Sequence, residues 1–311
     1  MDRTVRGGWP DLSRMGGDVR RRAIAIKRAN GVGEIAALEY GPPERTLDIL
    51  FLHANGFNAG TYRQALAPLG VGLRVLAVDM RGHGRTKLPT PIEGHAWRIF
   101  ADDLLALLSA LGEVPRVLAG HSMGGTTALL AAPHLPKLHG TALVLFDPVI
   151  ASHAAYESNG APDWNQPFAQ AALRRKSTFA TRAEAAAAYR GRGAFKTWPD
   201  TMLDDYLEDG LRREPAGGLA LACAPKWEAA NFASYATSNP YAGFAGAGGA
   251  VRVLRAERHS PCSVTESDAA LHGPGLRVET VSGCTHFLPM ERPDLVRNAL
   301  SDAAEGGSNA S

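Results

Sequence analysis

The chain has little cysteine, no long apolar segment and almost no net charge. Its three cysteines lie far apart among 311 residues and form neither a disulfide framework nor a zinc-binding pattern (Cys223, Cys262 and Cys284). No run approaches the roughly 18 consecutive apolar residues that cross a membrane. The first 20 residues carry no apolar core of a secretory signal. We therefore expect a cytoplasmic protein without a membrane span, a disulfide scaffold or a bound metal.

The balance of charge disfavours binding of a polyanion by bulk attraction. Lys and Arg number 33 and Asp and Glu 31, which gives a formal net charge of +2. Nucleic acid is therefore not an expected partner. The balance is uneven at the start, where residues 1–30 hold eight basic and three acidic side chains. We expect residues 1–21 to be a solvated basic leader without fixed structure; the alternative is an arm that touches an anionic surface.

What the chain does contain is a regular alternation of strand-like and helix-like segments. Most of the strand patterns are compact apolar runs, typical of strands buried on both faces. They occupy residues 23–28, 34–40, 47–53, 73–78, 116–119, 141–146, 251–256 and 277–281. Helical patterns occupy residues 96–111, 123–132 and 291–304. This alternation predicts an α/β fold with a mostly parallel, doubly wound sheet, in which ligands bind beyond the carboxyl ends of the strands.

One long block interrupts the alternation. Residues 151–245 lack buried-strand runs and contain helical patterns at 182–190 and 201–213. We therefore predict a helical lid or cap, inserted into a core made of residues 22–150 and 246–305.

The composition of this block bears on the substrate. It holds 13 of the 22 aromatic residues, and its ten basic side chains balance ten acidic ones. Such a cap gives no electrostatic reason to expect a polyanionic substrate or a coenzyme A handle, apart from local basic pairs such as Arg174-Arg175, and it favours a hydrophobic acyl or alcohol group. Residues 242–250, rich in glycine and alanine, are typical of a flexible join.

The motif Gly120-His121-Ser122-Met123-Gly124 is the first feature that carries chemistry. The G-x-S-x-G pattern alone is weakly specific, but here it joins a predicted buried strand to a helix of small residues, as a nucleophile elbow does. At so tight a turn there is no room for side chains at the two flanking glycines. We therefore identify Ser122 as the candidate nucleophile.

A serine hydroxyl is a poor nucleophile without a base, and ten histidines are available. His286 follows the last predicted strand by a short loop, so it lies at the same carboxyl edge of the sheet as Ser122. The side chain of His121 is expected to point away from Ser122 at the tight turn. His53, at a strand end, is expected to be structural. His286 is therefore the candidate base.

Together these segments resemble the α/β-hydrolase superfamily, of the serine esterase and lipase type. The resemblance spans residues 53 to 293 in the family's order. It is carried by His53-Ala54-Asn55-Gly56-Phe57, Asp79-Met80-Arg81-Gly82-His83-Gly84-Arg85-Thr86, Gly120 to Gly125, and Gly283-Cys284-Thr285-His286-Phe287 with Glu291-Arg292-Pro293.

The resemblance implies an α/β-hydrolase fold whose lid is inserted after the sixth strand. It implies Ser122 as nucleophile and His286 as base, and it implies no cofactor. It also implies an oxyanion hole formed by the backbone N–H groups of Phe57 and Met123. In the Asp79 motif it implies a structural turn, with Arg81 held by carboxylate or carbonyl groups.

The acid of the triad is where this sequence departs from the family. The family's acid usually follows the seventh strand, and here His259 stands in its place. A histidine cannot supply the negative charge that orients an imidazolium. We prefer Asp147, which ends the sixth strand at the catalytic edge, although it could instead bind the following turn. Glu257 is the alternative acid, unless it pairs with a neighbouring arginine.

These residues predict a metal-free serine hydrolase that acts on small-molecule carboxylic esters through an acyl-enzyme. The acyl or alcohol part is expected to be hydrophobic. Hydrolysis of lactones, thioesters or carbon–carbon bonds uses the same parts, as does acyl transfer to an acceptor other than water. A non-catalytic ligand receptor on the same fold is the alternative from another class, and the missing acid after the seventh strand is its support.

Overall fold

The computed structural model describes residues 19–28, 31–135, 140–157, 161–269 and 275–306. Most of the predicted basic leader lies outside these ranges. In chain order, the first elements are β1 (Arg20–Arg28), β2 (Gly31–Tyr40), β3 (Ile49–Leu52), α1 (Arg63–Leu66), β4 (Val75–Val78), α2 (Arg98–Leu111), β5 (Val117–His121), α3 (Met123–Ala131) and β6 (Ala142–Phe146).

A long insertion of mostly helical structure follows β6. Its elements are α4 (His153–Glu157), α5 (Pro167–Leu173), β7 (Thr178–Phe179), α6 (Arg182–Tyr189), α7 (Asp200–Gly210), β8 (Leu211–Arg213), β9 (Leu219–Leu221), α8 (Pro225–Ala233) and α9 (Ala242–Gly246). The chain then completes the core with β10 (Val251–Ala256), α10 (Glu266–Ala269), β11 (Leu276–Val281), α11 (Leu288–Glu291) and α12 (Pro293–Gly306).

The main sheet has eight strands in the order β1-β2-β4-β3-β5-β6-β10-β11. Strand β2 runs antiparallel to both of its neighbours, and the strands from β4 to β11 are parallel. Each of the eight strands predicted from the sequence is found in this sheet, shifted by a few residues at most. The predicted α/β-hydrolase fold, with its mostly parallel sheet, is confirmed.

The alternation of side chains along the central strands explains why their sequences are apolar without a break. In β3, Leu50 and Leu52 belong to the hydrophobic cluster on one face, and Ile49 and Phe51 belong to the cluster on the other. Helices α2 and α3 cover the first face, and α1 and α12 cover the second. In the part of the chain that the structure describes, no helix combines the length and the hydropathy needed to cross a membrane.

Three local boundaries differ from those that the sequence predicts. Strand β1 begins at Arg20, inside the predicted leader, because Arg20 and Arg22 both bond the buried Glu39 of β2. The helix predicted over 201–213 ends at Gly210, because the next three residues form β8 and pair with β9. The predicted flexible join at 242–250 begins with α9, because its Phe244 packs into the core.

The insertion is fixed to the core by polar contacts as well as by packing. Asp209 of α7 bonds Arg21 of β1 at 2.7 Å and Arg85 of the β4–α2 connection at 2.5 Å. From α8, the indole N–H of Trp227 donates to the carbonyl oxygen of Arg81 at 3.0 Å. Both helices therefore have defined positions over the carboxyl edge of the main sheet.

Candidate active site

Ser122 lies at a sharp turn between β5 and α3, with φ 54° and ψ −120°. A Cβ atom on Gly120 would lie 2.4 Å from the Gly124 backbone, and one on Gly124 would lie 2.3 Å from the Leu52 carbonyl oxygen. Glycine is therefore required on both sides of the serine, as the motif predicts. The turn holds Ser122 in strained backbone geometry, and the surrounding structure leaves only 5% of it exposed.

Two side chains from distant strand ends meet the serine. His286, on the loop after β11, places Nε2 at 3.0 Å from the Ser122 hydroxyl oxygen. Its Nδ1 atom lies 2.7 Å from Oδ2 of Asp147, the first residue after β6. The structure thus brings Ser122, His286 and Asp147 into one hydrogen-bonded chain, in which the serine hydroxyl donates to the imidazole and the imidazole donates to the carboxylate.

The Asp147 carboxylate is buried and fully engaged. Its Oδ1 atom accepts from the Ala256 N–H at 2.8 Å and from the Ser260 hydroxyl at 2.5 Å, while Oδ2 faces His286. Burial raises the pKa of this carboxyl, but the contact with His286 and the bonds from Ser260 and Ala256 outweigh burial and hold the pKa below its ordinary value. Asp147 is therefore ionised at neutral pH and can stabilise a positive imidazole.

The other candidate acid lies elsewhere. The Glu257 carboxylate is exposed and accepts a hydrogen bond from the Gly283 N–H at 2.8 Å, instead of pairing with a neighbouring arginine. His259, in the place of the family's usual acid, is exposed and has a positive φ of 58°. Both nitrogens of the His286 ring are already hydrogen-bonded, one to Ser122 and the other to Asp147.

Sequence reasoning missed Ser260. This residue bonds the Asp147 carboxylate and also accepts from the Cys262 N–H at 3.1 Å, which fixes its hydroxyl. Strands β6 and β10 are parallel neighbours, so the loops that follow them leave the sheet side by side. Once Asp147 at the end of β6 is considered as the acid, a hydroxyl residue shortly after β10 is the sequence feature that indicates a hydrogen bond to it.

The two backbone N–H groups that are predicted to form the oxyanion hole differ in their hydrogen bonding. Met123 is the first residue of α3, so its N–H belongs to the helix N-terminal donors that have no partner within the helix. The Phe57 N–H donates to the Ala54 carbonyl oxygen at 3.1 Å, which closes a turn over residues 54–57. A substrate oxygen would have to share the Phe57 N–H with this turn or displace the Ala54 carbonyl.

Neutral histidines hold the turn over residues 54–57, called here the oxyanion turn. His53 donates from Nδ1 to the Ala54 carbonyl oxygen, and its Nε2 accepts from the Met80 N–H. His83 accepts the Gly56 N–H at Nε2. Burial lowers the pKa of His53 well below its ordinary value and that of His83 to about 4. The structural role predicted for His53 agrees with these contacts.

The Asp79 motif forms a buried turn beneath the site. Asp79 accepts hydrogen bonds from the backbone N–H groups of Ala59 and Arg85. Arg81 bonds both carboxylate oxygens of Asp103 and the Pro89 carbonyl oxygen, as the sequence predicted. Burial raises the pKa of Asp79 to about 6.

Aromatic rings from the insertion and from the core form a wall beside the site. The Trp198 ring lies 5.0 Å from that of Phe57 and 6.4 Å from that of Phe287, which follows the candidate base. Tyr206 lies 6.1 Å from Phe57. Of the aromatics that the sequence assigned to the cap, Phe168 instead faces solvent and is 64% exposed. Only part of the aromatic content of the cap is therefore at the site.

In the local basic pair Arg174-Arg175, the charge of the buried member is neutralised by a carboxylate. Arg175 places Nη1 2.8 Å from both carboxylate oxygens of Glu228, and it bonds the Tyr206 hydroxyl. The site wall is therefore apolar and electrically balanced at this point. Among the residues that the structure describes, no cluster of His, Cys, Asp and Glu could hold a metal ion, and the three cysteines are free and buried.

Comparison with known proteins places the chain in a family. Residues 49–299 match the profile of the Alpha/beta hydrolase family, so the chain belongs to this family of hydrolases, as its motifs predicted.

The similarity to individual curated proteins is confined to short segments. A segment of 94 residues is 45% identical to the sn-1-specific diacylglycerol lipase ABHD11 of Mus musculus and covers 29% of each chain. A segment of 107 residues is 30% identical to the 2-(acetamidomethylene)succinate hydrolase of Mesorhizobium japonicum and covers 34% of this chain and 38% of that protein. These alignments span about a third of the length of the curated relatives.

Whole-chain similarity is seen at the level of structure. The crystal structure of E-2-(acetamidomethylene)succinate hydrolase matches 92% of this chain and 100% of its own, with a TM-score of 0.73 at 20% sequence identity. Identity this low shows a shared fold, and the activity has to be argued from the site itself.

Proposed function

We propose that the protein is a serine hydrolase of carboxylic esters whose acyl or alcohol part is hydrophobic. The observation that carries the proposal is the hydrogen-bonded chain from the Ser122 hydroxyl through His286 to the ionised Asp147. A buried carboxylate behind an imidazole, with the imidazole bonded to a strained serine, is the arrangement that activates a hydroxyl as nucleophile.

In the proposed acylation step, the Ser122 oxygen attacks the ester carbonyl carbon while His286 Nε2 takes the hydroxyl proton. Asp147 stabilises the imidazolium that results. The Met123 N–H, together with the Phe57 N–H shared from its turn, binds the negative oxygen of the tetrahedral intermediate. The bond from carbon to the alcohol oxygen then breaks, and His286 returns the proton to the departing alcohol.

Water completes the cycle. His286 takes a proton from a water molecule as the water oxygen attacks the acyl carbon of the acyl-enzyme. The bond to the Ser122 oxygen breaks, the proton passes to that oxygen, and the carboxylic acid leaves. Each donor and acceptor in this cycle is a residue of the chain or the water itself, so the steps need no further group.

The preference for a hydrophobic substrate rests on the wall of the site. Phe57, Trp198, Tyr206 and Phe287 pack against one another beside the triad, and the nearby Arg175 is neutralised by Glu228. The receptor alternative drew on the absence of an acid after the seventh strand. Because Asp147 occupies the required position behind His286, that absence no longer supports it.

The proposal is tested by labelling and by substrate profiling. A fluorophosphonate probe should label the wild type once per chain and leave Ser122→Ala unlabelled, and the variant should lose ester turnover. A series of p-nitrophenyl esters from acetate to decanoate then reports acyl preference, which we expect to rise beyond acetate. Labelling of Ser122→Ala would show that the nucleophile is another residue, and a folded wild type without labelling or turnover would favour the receptor.

A further inference from the structure

Two buried side chains, unused in the proposed mechanism, connect the two halves of the site. The Tyr62 hydroxyl oxygen accepts the Ala54 N–H at 3.0 Å and lies 2.7 Å from Nδ1 of His121. The other ring nitrogen of His121, Nε2, lies 2.8 Å from the carbonyl oxygen of His286. A continuous hydrogen-bonded chain therefore runs from the oxyanion turn to the backbone of the candidate base.

The donors and acceptors in this chain fit only one arrangement of protons. A carbonyl oxygen accepts and never donates, so Nε2 of His121 carries the hydrogen that bonds His286. In a neutral imidazole the other nitrogen, Nδ1, is then the acceptor, and the Tyr62 hydroxyl donates to it. The Tyr62 oxygen keeps a lone pair for the Ala54 N–H. Each group is satisfied once, and the neutral tautomer of His121 is fixed.

The charge state of His121 agrees with this arrangement. His121 is wholly buried and its ring centre lies 4.9 Å from that of His286. Burial first, and then the charge on His286, lower the pKa of His121 to about 3. The ring is therefore neutral across the pH range in which a serine hydrolase works, and it adds no positive charge beside the imidazolium that forms on His286.

Packing holds both side chains in place. Tyr62 is almost wholly buried, and its ring lies 4.7 Å from that of Phe51 on the central strand β3. His121 is the last residue of β5, so its backbone is part of the sheet and directly precedes Ser122. The sequence analysis expected this side chain to point away from Ser122 and assigned it no role.

We propose that Tyr62 and His121 form a positioning relay, which sets the distance between the oxyanion turn and the backbone of His286. The inference rests on the proposed function, because the relay matters only if the oxyanion turn and His286 act on the same substrate. Neither residue touches the substrate. A displacement of about 1 Å at a reacting group costs on the order of 100-fold in rate, so a relay that fixes both parts is a determinant of turnover.

The test uses the full chain, three variants at Tyr62 and His121, and one control variant. Tyr62→Phe removes the hydroxyl but keeps the packing. His121→Leu removes both hydrogen bonds of the ring, and His121→Gln restores one donor and one acceptor. Tyr156→Phe is the matched control, because the Tyr156 hydroxyl also accepts a backbone N–H, that of Ala151, at 3.1 Å but has no link to His286. Active sites are counted by fluorophosphonate titration, so that kcat is expressed per titrated site.

We expect Tyr62→Phe and His121→Leu to lower kcat per titrated site by about 10- to 100-fold with KM changed less than about 2-fold. His121→Gln should recover part of the loss, and Tyr156→Phe should match the wild type. A fall in the number of titratable sites, with kcat per site unchanged in both Tyr62→Phe and His121→Leu, would assign these residues to folding alone and overturn the proposal.

A measurement that does not depend on turnover separates this inference from the proposed function. In ¹⁵N-histidine NMR spectra, His121 should show the neutral tautomer with hydrogen on Nε2 from pH 8 to pH 5. A protonated His121 at pH 5, or the opposite tautomer, would contradict the relay even in an active enzyme. Retention of ester turnover by Ser122→Ala would instead overturn the proposed function, whatever the state of His121.

Discussion

Oδ2 of Asp147 lies 2.7 Å from Nδ1 of His286, although the two residues are 139 positions apart in the chain. The contact exists because β6 and β11 end at the same edge of a parallel sheet with only β10 between them. A carboxylate at the end of β6 can therefore reach the imidazole that a carboxylate after β10 would otherwise reach. The position of the acid can change between these strands while the geometry around the base is kept.

The first prediction concerns the identity of the acid. Asp147→Asn should lower kcat on a p-nitrophenyl ester by about 10³- to 10⁴-fold, because an amide cannot stabilise the imidazolium and favours the wrong tautomer. Glu257→Gln should change kcat by less than 2-fold, because its carboxylate bonds the Gly283 backbone. Steady-state kinetics of the two purified variants decide the matter, and a reversed order of effects would move the acid to Glu257.

A second prediction concerns the serine that the sequence analysis missed. Ser260→Ala removes the 2.5 Å hydrogen bond to the Asp147 carboxylate, so the carboxylate loses one of the groups that fix it and keep it ionised. We expect kcat to fall by about 10-fold, because a hydrogen bond to a charged group contributes about 1.5 kcal/mol. Ser260→Thr keeps the hydroxyl and should retain most of the activity. Equal losses in the two variants would show that side-chain volume at this position, and not the hydroxyl, matters.

The sequence predicted those parts of the fold in which packing restricts the residue types along a short segment. Strands such as β3 and β5 are buried on both faces, so their residues are uniformly apolar, and the turn at Ser122 needs its flanking glycines. The insertion was harder to predict because short strands such as β7 bury little and helix α8 is stabilised by contacts with distant residues. The Asn231 side chain of α8, for example, bonds Asn55 and His95 of the core.

The same distinction holds for the candidate site. Ser122 and His286 sit in motifs whose spacing is local, so both could be identified from the sequence. The choice between Asp147 and Glu257 depends on which carboxylate the sheet brings to His286, and this relation is set by strand order. The role of Tyr62 depends on a contact across 59 positions of the chain, for which a single sequence holds no sign. The role of Ser260 depends on a contact across 113 positions, which the sequence indicates only after Asp147 has been chosen as the acid.

The third prediction concerns acyl preference. Trp198→Ala should lower kcat/KM by about 10-fold on p-nitrophenyl octanoate but by less than 3-fold on the acetate, because the longer chain loses apolar contact with the wall. Phe168→Ala is the control, since that ring faces solvent and should leave both values unchanged. If the acetate and the octanoate lose activity equally in Trp198→Ala, then the ring supports the triad and does not contact the acyl chain.

The last prediction is that acid destabilises the fold through its buried neutral histidines. Burial lowers the pKa to about 4 in His83 and to about 3 in His121. Below about pH 6.5 these histidines therefore bind protons in the unfolded chain but stay neutral in the folded chain. The contribution of these neutral histidines to stability is therefore fully present above pH 6.5 and is lost as the pH falls below that value. At pH 5 each of these two histidines lowers the free energy of unfolding by about 2 kcal/mol, and His53 acts in the same direction.

Buried carboxyls oppose this trend, because burial raises the pKa values of Asp79, Asp103 and Asp205 above their ordinary values. The pKa of Asp79 is raised to about 6, so the folded chain gains stability as the pH falls through this range, by about 1 kcal/mol at pH 5. The histidines outweigh these carboxyls, and the unfolding free energy from urea titrations should be lower at pH 5 than at pH 7. In His83→Asn the difference should shrink by about 2 kcal/mol, whereas His134→Gln, at an exposed position, should leave it unchanged. Equal unfolding free energies at the two pH values would mean that these histidines are not held neutral in the folded protein.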